Sequence, residues 1–456
     1  MGSREYRLEA QVLLAAAALW GLYGLLYSCH AAVWLLDLPF LVLALLLWLG
    51  RSRPILLLSS LGILLAVAAR NAFGFRVAAA LDILYIGTLL FGGARRTAAR
   101  LTASAASQDA KPGRRAVLAG IAVAMLAFLA VYAARPIHLM VDPEKRHQVL
   151  RALAPSFPVK DPAELSPLAA RLRAHVMALA GVIGERSAYQ PLAQLQAMEY
   201  LASKLREAGY SPEVLEFSPE RKEDFERKRP YANVEAVLEP PRAASGVWIV
   251  GAHYDSAAGT LGADDNASAV AVLLEAARLL KGKEPRRGVR FVAFDTEEPP
   301  AFGTRDMGSA RYERSLSERG VRVHAMVSLE MLGYFNTKPG SQLQPPFLGL
   351  LYPDTGDFVY AGSDLASVGL LRSFLKAWRR ASGMPIEGVS LPAPFCILAM
   401  SDQLNFWFAG RRALMLSDGA FFRNPDYHQM TDSPEKLDYE RMAMVTEALA
   451  AVLTQE

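Results

Sequence analysis

The chain has 456 residues, 52% of them hydrophobic, and a formal net charge of only +4. It is too long for one typical domain. The small net charge, and the lack of basic stretches interleaved with aromatic residues in the second half, argue against a nucleic-acid-binding protein. The two cysteines, Cys29 and Cys396, lie far apart in the sequence, which gives no indication of a disulfide framework or a cysteine-type zinc site.

Residues 1–137 are dominated by leucine and alanine, and they are predicted to form an all-α transmembrane domain. Apolar runs, most of them close to the ~20 residues that cross a bilayer, lie at 10–28, 31–50, 54–70, 76–93 and 115–134. The runs are apolar on all sides, unlike an amphipathic surface helix, and a signal peptide would be a single run. We therefore predict about five helices in contact with membrane lipid. A re-entrant pair formed by the short third and fourth runs is the alternative.

Basic residues between the runs predict the topology. The segment between the fourth and fifth runs contains Arg95, Arg96, Arg100, Lys111, Arg114 and Arg115, but only one acid, Asp109. Because such loops stay in the cytoplasm, the N-terminus is predicted to be cytoplasmic and everything after residue 137 extracytoplasmic. Arg70 and Arg76 conflict mildly with this count. Asp37 and Asp82 are the main ionisable residues inside the runs, so we interpret this half as an anchor rather than a transporter.

The rest of the chain has a globular composition. Residues 138–163 are predicted to be a connector, because four prolines interrupt any long helix there. In 164–456, strand-like segments occur at 232–238, 246–252, 289–295, 324–331, 357–361 and 412–417. Helical patterns occur at 164–181, 190–209, 266–281, 307–318, 365–382 and 438–453. This alternation predicts an α/β domain with a mixed central sheet flanked by helices.

Histidines and acids follow several of these strands. They stand in the motifs Gly251-Ala-His-Tyr-Asp-Ser, Gly262-Ala-Asp-Asp-Asn-Ala-Ser, Phe294-Asp-Thr-Glu-Glu, Ser328-Leu-Glu-Met and Asn424-Pro-Asp-Tyr-His. In open α/β sheets, binding sites gather beyond the carboxyl ends of the strands, and histidine and carboxylate are ligands that suit zinc. Glu330, in an otherwise apolar strand, requires a partner or a metal. The adjacent acids Asp264 and Asp265 are also compatible with a solvated loop or a helix N-cap.

Together these motifs resemble those of the zinc aminopeptidases of metallopeptidase family M-28, which includes bacterial leucyl aminopeptidases and glutamate carboxypeptidase. The resemblance covers roughly residues 165–453 and includes Glu297-Glu-Pro-Pro, Asp306-Met-Gly-Ser, Ala420-Phe-Phe-Arg-Asn-Pro and Leu437-Asp-Tyr-Glu-Arg. It implies the zinc exopeptidase fold (phosphorylase/hydrolase-like). One departure is Ser401-Asp-Gln-Leu-Asn-Phe, where many relatives have His in place of Gln403. This departure puts local substrate contacts in doubt, but not the metals.

The resemblance also implies a role for each site residue. His253, Asp265 and Glu330 would bind one Zn²⁺, and Asp265, Glu298 and His428 the second, with Asp265 rather than Asp264 as the bridging ligand. Glu297 would be the general base, Tyr427 would stabilise the oxyanion, and Asp255 would orient His253. The charges of Asp265, Glu298, Glu330 and a hydroxide would balance two Zn²⁺. Co²⁺ and Mn²⁺ are also compatible with these ligands.

We therefore expect a membrane-anchored dizinc exopeptidase, an aminopeptidase, with peptide substrates. A single-zinc glutaminyl cyclase is an alternative, although the presence of both His253 and His428 argues against it. A non-catalytic receptor or scaffold of the same fold is another, although the retained Glu297 and metal ligands argue against that. The sequence does not determine which end of a peptide the exopeptidase cleaves, which residue it prefers at the scissile bond, or its oligomeric state.

Overall fold

The structure is a computed structural model that describes residues 143–153, 165–220, 230–240, 246–344, 349, 351–391 and 398–455. All of them belong to one compact unit, Asp142–Glu456. None of the helices within these ranges is long and apolar enough to cross a membrane. The five predicted membrane helices at 10–28, 31–50, 54–70, 76–93 and 115–134 lie outside the described residues.

Eight strands and eight α-helices make up the described part of the chain. The strands are β1 (Glu213–Phe217), β2 (Tyr231–Leu238), β3 (Val247–His253), β4 (Val289–Phe294), β5 (Val323–Glu330), β6 (Val359–Ser363), β7 (Ile386–Ser390) and β8 (Ala413–Ser417). The helices are α1 (Pro143–Leu153), α2 (Pro167–Val176), α3 (Pro191–Glu207), α4 (Ala269–Leu280), α5 (Gly308–Glu318), α6 (Val368–Ala381), α7 (Gln403–Phe408) and α8 (Tyr439–Gln455).

The strands form one mixed sheet in the order β1-β2-β4-β3-β5-β8-β6-β7. The neighbouring pairs β4/β3, β3/β5 and β5/β8 are parallel, whereas β1, β2 and β6 pair antiparallel with their neighbours toward the centre. The four central strands therefore end at the same edge of the sheet. In α/β sheets this edge is where binding sites form.

Alternating side chains of the central strands supply two hydrophobic cores. On β3, Trp248, Val250 and Ala252 face the larger core, and Ile249 faces the smaller one. Helices α2, α3, α4, α6 and α8 cover the larger core, and α5 and α7 cover the smaller one. The domain is thus a sheet sandwiched between two helical layers, the mixed α/β architecture predicted from the sequence.

The structure contains elements that the sequence patterns did not predict. Strands β1 and β7 are five-residue segments with mostly part-exposed side chains, and α7 is only six residues long. Helix α1 lies within the predicted connector; it begins at Pro143, and proline is compatible with the first turn of a helix. The predicted helix 164–181 ends as α2 at Val176 and continues as a π-helical segment, Met177–Ile183.

Candidate metal centre

The parallel strands bring the residues of the separate motifs to one edge of the sheet. His253 is the last residue of β3 and Glu330 the last residue of β5, while Glu297 and Glu298 follow the end of β4. All four side chains are buried. Residues more than seventy positions apart in sequence therefore converge because their strands are neighbours in the sheet.

Two groups of potential ligand atoms share Asp265. His253 Nε2 lies 3.5 Å from Asp265 Oδ1 and 3.3 Å from Glu330 Oε2. On the other side, His428 Nε2 lies 3.2 Å from Asp265 Oδ2 and 3.3 Å from Glu298 Oε1. These are the two ligand sets that the sequence resemblance implied, and each could hold one metal ion. The two oxygens of Asp265 face opposite groups, which is the arrangement of a bridging carboxylate.

Three atoms at this centre are buried and have no hydrogen-bond partner within the described part of the chain: His253 Nε2, Glu298 Oε1 and Glu330 Oε2. Burying such polar atoms without partners is costly. Tetrahedral zinc with ligands at about 2.0–2.1 Å separates its ligand atoms by roughly 3.3 Å, close to the spacings found here. The residues therefore fit zinc, which would satisfy all three atoms.

Asp255 has a wider role than orienting the histidine. Its two carboxylate oxygens accept hydrogen bonds from the backbone N–H groups of Glu297 (3.1 Å) and Glu298 (3.0 Å). His253 Nδ1 lies 3.2 Å from the Asp255 carbonyl oxygen and 3.4 Å from Oδ1. One buried carboxylate thus fixes the position of two consecutive glutamates as well as the imidazole ring.

A second buried carboxylate holds the segment that carries Asp265. Asp432 accepts hydrogen bonds from the backbone N–H of Asp264 (2.9 Å) and of Asp265 (3.1 Å). The side chain of Asp264 points away from the metal ligands, since it accepts hydrogen bonds from Gly333 N and Asn424 Nδ2. This explains physically why Asp265, and not Asp264, is placed between the two ligand groups.

Arg186 holds the same segment from the other side. It is fully buried, and its guanidinium donates hydrogen bonds to five backbone carbonyl groups, including those of Tyr254, Leu261 and Gly262. Burial lowers the pKa of Arg186 to about 10, although the nearby Asp255, Asp432 and Asp265 favour its charged form.

Gly262 adopts a left-handed conformation, and a Cβ there would collide with the Asp265 carbonyl oxygen. A side chain at this position would therefore displace the segment.

Glu297 lies next to the ligand group that contains His253. Its Oε2 lies 4.0 Å from His253 Nε2. Burial raises the pKa of the Glu297 carboxyl well above its usual range, and the charges of Glu298 and Glu330 add to the increase. Bound cations would lower this pKa again, toward the neutral range that suits a general base.

His428 and Tyr427 form the outer side of the centre. Their rings stack at a centroid distance of 3.9 Å. Burial lowers the pKa of His428, but the carboxylates of Glu298 and Asp265 outweigh this and raise it to about 11, as expected for a residue facing a negatively charged ligand set. Loss of hydration and the same carboxylates raise the pKa of Tyr427 well above its usual range, so its hydroxyl remains protonated.

A cleft that is partly open to solvent has Glu330 and Tyr427 among its lining residues. Its walls are mainly apolar and include Leu343, Val389, Leu391, Leu398, Met415 and Phe421. Gln403, where the chain departs from its relatives' pattern, is buried and donates a 2.5 Å hydrogen bond to the carbonyl oxygen of Leu398. Gln403 therefore supports a wall of the cleft rather than the metal centre.

Residues 233–453 match the family model for Peptidase family M28. The uncharacterized protein YfbL of Escherichia coli (strain K12) is 40% identical over 233 residues, which cover 49% of this chain and 71% of YfbL. The chain belongs to peptidase family M28. It is accordingly a zinc-dependent peptidase, as the sequence motifs predicted.

Two further matches are named as aminopeptidases. Aminopeptidase YwaD of Bacillus subtilis (strain 168) is 41% identical over 88 residues, 19% of this chain and 18% of YwaD. The crystal structure of BSAP, a zinc aminopeptidase from Bacillus subtilis, aligns with a TM-score of 0.50 and 17% identity, covering 63% of this chain and 95% of BSAP. The structural similarity establishes the shared fold.

Two residues that fix the metal centre were not found by sequence reasoning. Arg186 lies upstream of every recognised motif, and Asp432 lies in a loop four residues after His428. Each is flanked by other polar residues, with no periodicity or spacing to distinguish it from a solvated residue. Their roles become visible only from their burial and backbone contacts.

Proposed function

We propose that this protein is a membrane-anchored dizinc aminopeptidase that removes apolar N-terminal residues from peptides outside the cytoplasm. The observation that carries the proposal is the pair of ligand groups sharing Asp265 at the mouth of an apolar cleft. Family membership supports peptide hydrolysis. The similarity to aminopeptidases supports cleavage at the N-terminal end of the peptide. The predicted apolar runs of residues 1–137 and the topology derived from their basic loops support the location.

The chemistry requires a proton acceptor close to the scissile bond. Two zinc ions at the centre would acidify water and polarise the scissile carbonyl. Glu297, which lies beside both ligand groups but belongs to neither, accepts the proton from water and passes it to the leaving amine. The protonated Tyr427 hydroxyl donates a hydrogen bond to the carbonyl oxygen as negative charge develops there.

The cleft indicates which residue is removed. Its walls carry aliphatic and aromatic side chains, and among the described residues that line it the only ionisable carboxylate is that of Glu330, a proposed metal ligand. Burying an apolar side chain there is favourable by about 25 cal/mol per Å² of apolar surface. A charged side chain would lose its hydration without gaining a partner. Leucine, methionine and phenylalanine are therefore the proposed N-terminal residues.

The experiment is an assay of the purified full-length protein with leucyl, phenylalanyl and lysyl peptides, together with metal analysis. We expect two zinc ions per chain, release of leucine and phenylalanine in preference to lysine, and loss of activity on chelation that zinc restores. N-acetylated leucyl peptides should not be cleaved. Cleavage from the carboxyl end would contradict the aminopeptidase assignment, and one tight zinc with cyclisation of N-terminal glutamine would favour the glutaminyl cyclase alternative.

A further inference from the structure

Helix α1 places a charged residue next to the substrate cleft, although the helix lies outside the segment that matches the peptidase family. Arg146 in this helix is 8% exposed. Its guanidinium carbon lies 4.9 Å from the centre of the Phe421 ring, a residue that lines the cleft. No described residue forms an ion pair with Arg146, and its Nε is buried without a hydrogen-bond partner.

A buried guanidinium without a counter-ion is unfavourable. Burial lowers the pKa of Arg146, and the contact with one aromatic face compensates for only part of the lost hydration. Guanidinium groups form their strongest contacts with carboxylates, through two parallel N–H···O hydrogen bonds. Among the described residues, none provides such an anion for Arg146.

The substrate is the molecule that can provide this anion. The rings of Phe421 and Tyr427 are 5.5 Å apart. The two separations together place the Arg146 guanidinium no more than about 10 Å from the Tyr427 ring, a distance that about three residues of extended peptide span. A peptide that starts in the apolar cleft and passes Tyr427 at its scissile bond can therefore reach Arg146 within its next three residues.

We infer that Arg146 binds a carboxylate of the peptide substrate, on the leaving-group side of the scissile bond. This inference rests on the proposed peptidase function and adds a substrate class: short peptides, whose C-terminal carboxylate lies within reach of α1. An acidic side chain in the second or third residue offers the same chemistry. The helix that follows the predicted membrane domain thereby contributes a specificity determinant to the catalytic domain.

The test compares matched substrates on the full-length protein. Values of kcat/KM are measured for Leu-Leu, its C-terminal amide, and the amide of Leu-Glu, with the wild type, Arg146→Gln and Arg151→Gln. Arg151 lies on the same helix and is exposed, so it controls for charge and for helix stability. A hydrogen-bonded pair of charged groups that only the free carboxylate can form should raise kcat/KM for Leu-Leu over its amide by roughly 10-fold or more. We expect the wild type to prefer Leu-Leu over its amide by that factor, and Arg146→Gln to lose most of the preference.

The outcomes separate the inference from the function on which it rests. If no peptide is hydrolysed, the proposed function fails. If the wild type hydrolyses Leu-Leu and its amide equally, the function stands and the role of Arg146 is refuted. An equal loss on both substrates in Arg146→Gln would mean that the residue only holds α1 against Phe421. If Arg151→Gln also lost the preference for Leu-Leu over its amide, the preference would be a nonspecific charge effect. A preference for Leu-Glu-amide over Leu-Leu-amide would show that a side-chain carboxylate can replace the terminal one.

Discussion

Two buried groups of histidine and carboxylate lie in the same domain, and their hydrogen bonds distinguish them. In the helical layer, His175 Nδ1 lies 2.7 Å from Tyr200 Oη, and Nε2 lies 3.2 Å from Glu275 Oε1. Glu275 Oε2 accepts hydrogen bonds from Arg171 at 2.9 Å and Arg278 at 2.7 Å. In this first cluster, which we call the helix cluster, every ring nitrogen and carboxylate oxygen has a protein partner.

The ligand groups at the sheet edge contain the same residue types, but several of their polar atoms lack hydrogen-bond partners among the described residues. His253 Nε2, Glu298 Oε1 and Glu330 Oε2 have no hydrogen-bond partner, although they are equally buried. Asp255 and Asp432 accept hydrogen bonds from backbone N–H groups of the segments that carry the ligand groups, and this holds the segments in place without satisfying these atoms. A satisfied cluster holds helices together, whereas an unsatisfied cluster with a fixed backbone is prepared for cations.

The largest expected effect comes from Glu297, the proposed general base, which is assigned no metal. Glu297→Gln should lower kcat by about 10²–10⁴-fold, because general-base catalysis contributes about that factor, while the zinc content remains that of the wild type. Steady-state kinetics and metal analysis of the same preparation measure both. Glu275→Gln in the helix cluster is the matched control and should retain turnover. Full activity of Glu297→Gln would remove it as the base.

Replacing a histidine in each cluster provides the next contrast. His253→Ala should bind at most one zinc per chain and lose peptidase activity, because a metal site of three protein ligands loses one of them. His175→Ala should keep both zinc ions and be less stable, because Tyr200 and Glu275 each lose a hydrogen-bond partner. If His175→Ala lost zinc as well, the distinction between the two clusters would be wrong.

The sequence predicted the sheet edge better than it predicted the supports beneath it. Proposed ligands such as Glu330 could be predicted because an acid in a hydrophobic strand requires an explanation, and because the central strands have strong apolar patterns. Strands β1 and β7 were missed because edge strands are short and need less hydrophobicity. Asp432, Arg186 and Arg146 were missed because their roles depend on burial and on contacts made across long stretches of chain, for which local patterns carry no signal.

Replacing Asp432 tests how the backbone of Asp265 is held in place, without changing the Asp265 side chain that is proposed to bind metal. Asp432→Asn keeps one acceptor oxygen but loses the carboxylate that faces the two backbone N–H groups of Asp264 and Asp265. We expect zinc affinity to fall by roughly 10-fold, the lower end of what outer partners of metal ligands contribute. Asp432→Ala should lose more, so the conservative variant is a partial rescue. Competition with a zinc chelator measures the affinity, and Asp438→Asn, in a partly exposed pair with Arg441, should match the wild type. Wild-type affinity in Asp432→Ala would refute the role.

The smallest expected effect is on the stability of the helix cluster, and it depends on pH. Burial would raise the pKa of Glu275, but hydrogen bonds from His175, Arg171 and Arg278 outweigh it and lower the pKa to about 2. Because this value is below that of glutamate in an unfolded chain, about 4.3, the ionised Glu275 stabilises the fold above about pH 4.3 and progressively less as the pH falls toward 2. Glu275→Gln should therefore reduce the free energy of unfolding by about 2 kcal/mol at neutral pH, and this difference should shrink across that acidic interval. Unfolding of chelator-treated wild type and variant measures this difference without interference from zinc release.

Glu207→Gln, which removes an exposed pair with Lys204, should cause no measurable change at any pH, because surface pairs contribute little. A Glu275→Gln difference that stayed constant down to pH 2 would mean that packing, and not the charge of Glu275, holds the helix cluster together.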